Sequence, residues 1–577
     1  MANRQLTRSL LAMALACAGT AQADDTTATQ PPLSEQTMRS GGTMPAEQQR
    51  VNFDHAELHI GVDPATQSID GDARLTFSAK SSTDTLLLDL DHNLPISTIT
   101  LDGRKLDASA WSNPEGRLSI HLPKPLAQGH KVTVDIRYGG KPHVAKRAPW
   151  DGGFVWSHTP DGQPWVASAV EGEGCDLFWP CIDHPQGKPD LVDMYVTVPK
   201  PLVAPGNGKL IDVKEHGDKR TYHWRAKHPT TYAISINVGP FELLQANYKS
   251  RYGNIIPMQY WHLKGDDDKA KALFLEFPAM LSFFEEQIGP YPFGDEKMGV
   301  VETPHLGMEH QTINAYGNHY AKGPYGFDWL LQHEFSHEWF GNQVTNADWD
   351  DMWLHEGFGT YMQPLYGQYL AGDMPYFAML QDERVKVQNK FPVVAGRNQF
   401  EHEVYDADKG PGNDIYYKGS LMLHTLRGMI GDKAFFDSIR RLVYGRPDPK
   451  PGNFSPRYAT TGDYIKIVNE VTGKDLTWFF HVYLYEAKLP VLVQERDGDT
   501  VNLHWEIADH APFPMPVEVQ VGETVQVLPM TNGRGSVHAP EGTLLIVDPH
   551  SKVLRELPHV AGYQAWQKAQ MLRKKAS

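Results

Sequence analysis

The stretch His333–Tyr361, HEFSHEWFGNQVTNADWDDMWLHEGFGTY, carries the decisive pattern of this chain. It opens on His333-Glu334-Phe335-Ser336-His337. Residues four apart lie on one face of a helix, so both imidazoles can address one ion while Glu334 sits beside its open position. Leu330 and Leu331 before the motif, and Trp339 and Phe340 after it, supply the apolar flank of a buried helix. Eighteen residues separate His337 from Glu356. That spacing fits a loop through Gly341 to Asp351 and a second helix that returns a carboxylate to the same ion. Two histidines and one glutamate leave a fourth tetrahedral position for water, whereas a structural zinc site is normally closed by four protein ligands. The expected cofactor is therefore one Zn2+ per chain, lowering the pKa of a water toward ~7. Glu334 is the expected general base. A hydrogen-bond donor for the developing oxyanion must come from elsewhere in the chain.

Outward from this stretch the periodicity changes twice. From Val51 to Leu244 the pattern is β-rich: Ala56 to Val62, Ala73 to Phe77 and Lys131 to Ile136 alternate polar and apolar, with turns at Asp102-Gly103 and Gly139-Gly140. Ala272, Leu273, Phe277, Leu281, Phe284 and Ile288 then recur at helical spacing, and helical character continues at 329–340, 354–370, 420–430 and 464–471. Strands return at 500–505, 517–521 and 543–547. The reading is a multidomain α+β chain with a signal peptide (1–23), a polar linker (24–50), an all-β saddle domain (51–245), a mostly helical zinc domain (246–490), a small β-sandwich (491–560) and a solvated basic tail (561–577).

The central stretch strongly resembles the alanyl-aminopeptidase and leukotriene-hydrolase family of gluzincin peptidases, in the eighteen-residue gap and in the W-F-G-N-x-V-T and L-x-E-G-F signatures around the ligands. Leu306-Gly307-Met308-Glu309-His310 resembles the family's G-x-M-E-N block. The resemblance implies that Glu309 grips a substrate α-amine, with Gly307 and Met308 beside the peptide. Leu306 replaces the block's first Gly and His310 its Asn, which puts the shape of the peptide-binding edge in question. His305, just before the block, falls where the family often lines the pocket for the first side chain. Tyr416-Tyr417-Lys418-Gly419 matches Y-x-K-G and makes Tyr416 the implied oxyanion donor, with Tyr417 as packing. Glu171, ahead of Phe178-Trp179-Pro180-Cys181-Ile182-Asp183, falls on the second amine-binding position, although the family's preceding Gln is Ala169 here and its Ala-Arg pair is Cys175-Asp176. The resemblance implies a thermolysin-like catalytic domain and peptide substrates with a free N-terminus. It also leads one to expect that the family's large helical capping domain is missing, leaving a more open cleft. An endopeptidase, or another hydrolase with such a cleft, is the alternative. A catalytically dead peptide-binding protein is a further one, disfavoured because all three ligands, Glu334 and Tyr416 remain.

Bulk properties narrow the remaining possibilities. The 577 residues are 41% apolar and 21% charged, enough for several cores. Seventy acidic residues against 54 Lys and Arg give a net charge of −16, which argues against nucleic-acid partners. Arg4 and Arg8 precede the apolar run Leu10 to Ala18, and Ala21-Gln22-Ala23 offers a cleavage site before Asp24, so the chain is expected to be exported, periplasmic or secreted. Lipid attachment at Cys17 is the rival fate. No other stretch approaches the ~18 apolar residues of a transmembrane helix. Cys175 and Cys181 would then meet an oxidising compartment, where a disulfide and two buried thiols are both open. Nothing in the sequence specifies an oligomeric state.

Overall fold

Val51–Asp63 alternates buried Leu58, Ile60 and Val62 with outward Glu57 and His59, the pattern of a strand with one face on a core. In the computed structural model it is the centre of an eight-stranded sheet, pairing antiparallel with Ser68–Ala79 and parallel with Leu191–Pro199. Residues 30–452 and 455–576 are described here; the expected signal peptide, with Cys17, and the start of the expected linker lie outside them. Leu33–Ser577 forms one unit by its internal contacts, apart from Met1–Pro32. Two smaller three-stranded sheets complete the N-terminal domain, and Cys175 and Cys181 are joined by a disulfide. Among the described residues no helix is long and apolar enough to cross a membrane.

The catalytic domain begins with a five-stranded mixed sheet in the order 241–249, 255–263, 298–302, 314–316, 307–308. The expected boundary at 245/246 therefore cuts through a strand. Phe241–Lys249 pairs along its whole length with Ile255–Leu263, and alternation alone does not say which domain a strand will pair into. Gly307–Met308 forms the last strand of this sheet and packs on the helix Trp329–Ser336. The helical spacing from Ala272 to Ile288 falls on two helices, Asp267–Phe274 and Phe277–Gln287, with Pro278 in the first turn of the second. The longer helices are Trp353–Ala371, Tyr417–Ile430 and Asp432–Tyr444.

Beyond Val491 two three-stranded sheets form the small sandwich, with Val501, Leu503, Val517 and Val519 inside. The chain then returns to the helices, where Leu554 N donates to Thr425 Oγ1 and Tyr483 Oη donates to Leu554 O. The expected basic tail is instead a helix, Pro558–Ala576, attached where Gln564 Nε2 donates to Val385 O and Val387 O. Its composition is polar and basic, but a Pro at the first position and a run of Ala, Gln, Lys and Leu favour helix.

The linker reading also changes. From Leu33 the chain is a strap on the folded body rather than a tether: Thr37, Ser40 and Gln48 are buried. Gly41 bridges to Phe400, Glu401 N donates to Ser40 O and Ser40 Oγ donates to Asp183 Oδ1. Gly41 has φ +85°, and a Cβ there would overlap the buried indole of Trp349. Gly41→Ala should therefore cost about 1–3 kcal/mol, read as a lower melting temperature. An unchanged melting temperature would show that the strap bears no load.

Candidate metal centre and substrate site

Asp328 caps the first metal helix, its Oδ1 accepting from Leu331 N at 3.0 Å, while its Oδ2 accepts from Tyr316 Oη at 2.6 Å. His333 lies inside this helix and His337 closes it. The His337 ring donates from Nδ1 to Phe340 O at 2.9 Å, which leaves Nε2 with its lone pair facing His333. Glu356 arrives on the first turn of Trp353–Ala371. The three candidate ligand atoms converge: His333 Nε2 lies 3.2 Å from His337 Nε2 and 3.3 Å from Glu356 Oε2, and His337 Nε2 lies 3.6 Å from that same oxygen. A tetrahedral ion with bonds of ~2.0–2.1 Å has ligand–ligand edges of about 3.3 Å. Glu356 Oε2 is buried without a hydrogen-bond partner. These donors fit zinc, and burial holds His333 down at about 4, in the neutral form a metal needs.

The remaining expected residues gather around this centre. Two helices meet backbone to backbone where Gly357 faces Gly419: a Cβ on either would lie 3.0–3.1 Å from the other's Cα. That approach sets Tyr416, at the start of its helix, 6.2 Å ring to ring from His333. Burial and the charge of Glu356 push the Tyr416 phenol far above its ordinary value, so it stays a donor. Gly307 touches the general-base position, where a Cβ would overlap Glu334 Oε1. Met308 is buried beside it. Glu309 Oε1 accepts from Tyr232 Oη at 2.8 Å, and Asn342 Nδ2 donates to Glu309 O. Side-chain atoms of Glu309, Glu334 and His337 all lie within 4.8 Å of one another. Glu171 enters from the N-terminal domain, between the strand Pro164–Ala169 and the turn at Cys175–Leu177.

Glu171, Glu309, Glu334 and Glu356 are each at most 7% exposed. Burial, with the charges of Glu309 and Glu356, raises Glu171 and Glu334 well above the carboxylate range, and burial raises Glu356 too. Of the departures noted in the sequence, His310 is fully buried, its ring centroid 6.4 Å from that of buried His305. Leu306 is half-buried and its carbonyl accepts from Gly317 N. Tyr232 and Tyr405 were missed as site residues. Neither lies in a motif of the sequence; side-chain hydrogen bonds alone bring them in.

An open two-histidine, one-glutamate centre between an N-terminal β domain and a helical domain defines a zinc metallopeptidase. Residues 52–232 match the Peptidase M1 N-terminal domain and residues 326–483 the Peptidase family M1 domain. The chain is 24% identical to a leukotriene A-4 hydrolase of Xenopus laevis over 86% of its length and 78% of that protein. It is 25% identical to a leucine aminopeptidase 2 of Neurospora crassa, over 80% of this chain and 72% of that one. A solved M1 zinc metallopeptidase from Deinococcus radiodurans, a mutant bound to a Tyr-Ser-Ala substrate, superposes with a TM-score of 0.63 at 25% identity, covering 77% of this chain and 96% of that one. The chain belongs to the M1 peptidase family, whose members carry a catalytic zinc.

Zinc that binds only the folded site stabilises it by about 4 kcal/mol at a thousandfold excess over Kd. Chelation should lower the melting temperature and stoichiometric zinc restore it, while His337→Ala should show no zinc-dependent shift. A zinc-induced shift retained in that variant would place the ion elsewhere.

Proposed function

We propose that the protein is an exported aminopeptidase that removes residues from the free N-terminus of peptides. The observation that carries the reading is the second acidic element of the site. Beyond the metal-ligand carboxylate, Glu309 is held by Tyr232 within 4.8 Å of Glu334 and His337, and Glu171 approaches from the opposite domain. A buried pair of carboxylates beside a scissile position attracts an α-ammonium group strongly, because little water screens it.

When bound, zinc acidifies a water and polarises the scissile carbonyl. Glu334 takes the proton of the attacking water and passes it to the leaving amine. Tyr416 donates its phenol hydrogen bond to the carbonyl oxygen as negative charge develops there. Glu309 and Glu171 hold the α-ammonium and so set the distance from chain end to scissile bond. Gly307 and Met308, on the outermost strand of their sheet, lie beside the peptide backbone. Export is supported by the charged, apolar and small-residue pattern of the first 23 residues and by the disulfide Cys175–Cys181.

Aminoacyl reporter amides should be cleaved at least ~100-fold faster than their N-acetyl forms, since acetylation removes the charge that the two carboxylates bind. Equal cleavage of the two, or of an internal peptide blocked at both ends, would point to an endopeptidase. Glu334→Gln should keep stoichiometric zinc and lose turnover by at least ~100-fold. Tyr416→Phe should lower kcat by a similar ~100-fold with little change in KM. Undiminished turnover in either variant would sink the assigned mechanism.

A further inference from the structure

Tyr405 ends the short helix Glu401–Tyr405 and falls outside every motif in the chain. Its hydroxyl lies 3.4 Å from Glu171 Oε1 and 3.4 Å from Glu356 Oε1. Both contacts are at the long end of hydrogen bonding, as suits one hydroxyl proton shared between two acceptors. The carboxylates it joins come from different domains. Glu356 turns Oε2 toward the imidazoles of His333 and His337, so Tyr405 contacts the oxygen left over. Tyr416 is also within hydrogen-bond reach of Glu356, and its ring is 6.4 Å from that of Tyr405. A second phenol on this carboxylate therefore leaves Tyr416 free to turn to substrate.

The Tyr405 helix is held from two sides. Glu403 Oε2 accepts from Phe400 N at 3.1 Å at the start of the helix, and Arg397 Nη2 pairs with Glu403 at 3.1 Å. Gln399 N donates to Asp348 Oδ1, in the turn that leads into the Glu356 helix. The strap supplies the other side, through the Gly41–Phe400 bridge and the bond from Glu401 N to Ser40 O.

We propose that Tyr405 is a positioning residue that links the metal-ligand carboxylate Glu356 to the amine-site carboxylate Glu171, so that metal affinity and α-amine recognition share one hydrogen-bonded connection. The proposal rests on the reading of Glu171 as an amine anchor. Groups that orient a ligand from behind it typically change metal affinity or activity 10–100-fold when removed.

The test uses the full chain as Tyr405→Phe, Glu171→Gln and the double variant. Zinc affinity is measured by competition with a fluorescent chelator, and KM with unblocked aminoacyl amides. Y405F should weaken zinc binding about 10-fold and raise KM, with the melting temperature of the metal-free protein unchanged. The double variant should lose less zinc affinity than the two single losses combined, because both act through one link. Wild-type zinc affinity and KM in Y405F would overturn the proposal, as would independent effects in the double variant. If Y405F lowers the metal-free melting temperature, the double-variant comparison still decides the point, since a purely structural loss is independent of Glu171. If the amine reading itself is wrong, the wild type will cleave acetylated and free substrates alike, and the zinc measurements still report on Tyr405.

Discussion

Four carboxylates and two imidazoles share a space from which water is nearly excluded, and the rest of the site answers to that electrostatic constraint. Among the described residues no Lys or Arg forms an ion pair with Glu171, Glu309, Glu334 or Glu356; the nitrogen atoms nearest Glu356 are those of His333 and His337. Elsewhere the chain neutralises a buried acid, as where Arg225 reaches Asp193. Leaving a negative cluster unmatched is costly. On the proposed reading, two cations would relieve it, a divalent metal and a substrate ammonium. Burial, joined by the charges of Glu309 and Glu356, raises the pKa of Glu334.

Holding such a cluster together requires stiff surroundings, and the backbone supplies them. The Gly357–Gly419 contact allows two helices to approach more closely than side chains would permit, and Tyr416 and Glu356 ride on those helices. The N-terminal domain contributes Glu171 from a turn just ahead of the disulfide Cys175–Cys181, and Tyr232 reaches across to Glu309. The strap packs beneath both: Gly41 lies on Trp349, whose ring is 5.9 Å from Tyr232, and Gly41 also bridges to Phe400 at the start of the Tyr405 helix. The elements that carry Tyr232 and Tyr405 are thus supported from one side by a segment that lies outside the candidate site.

The sequence by itself determined that the candidate ligands His333 and His337 are neighbours, because helical periodicity brings them together without help from any other part of the chain. It also determined the β–α–β order of the domains, since alternation and helical spacing are local properties. What it left open were pairings over long separations. The strand Phe241–Lys249 reads the same in either domain until its partner Ile255–Leu263 is known. A polar segment such as 33–50 reads as linker until its carbonyls and hydroxyls find partners more than a hundred residues away. The disulfide depended on whether two Cβ atoms face one another, which spacing does not state. Tyr405 is the clearest case: it stands 234 positions along the chain from Glu171 and 49 from Glu356. Only tertiary structure brings those three together, because a hydrogen bond depends on distance and direction in space, and neither is encoded in the order of residues along the chain.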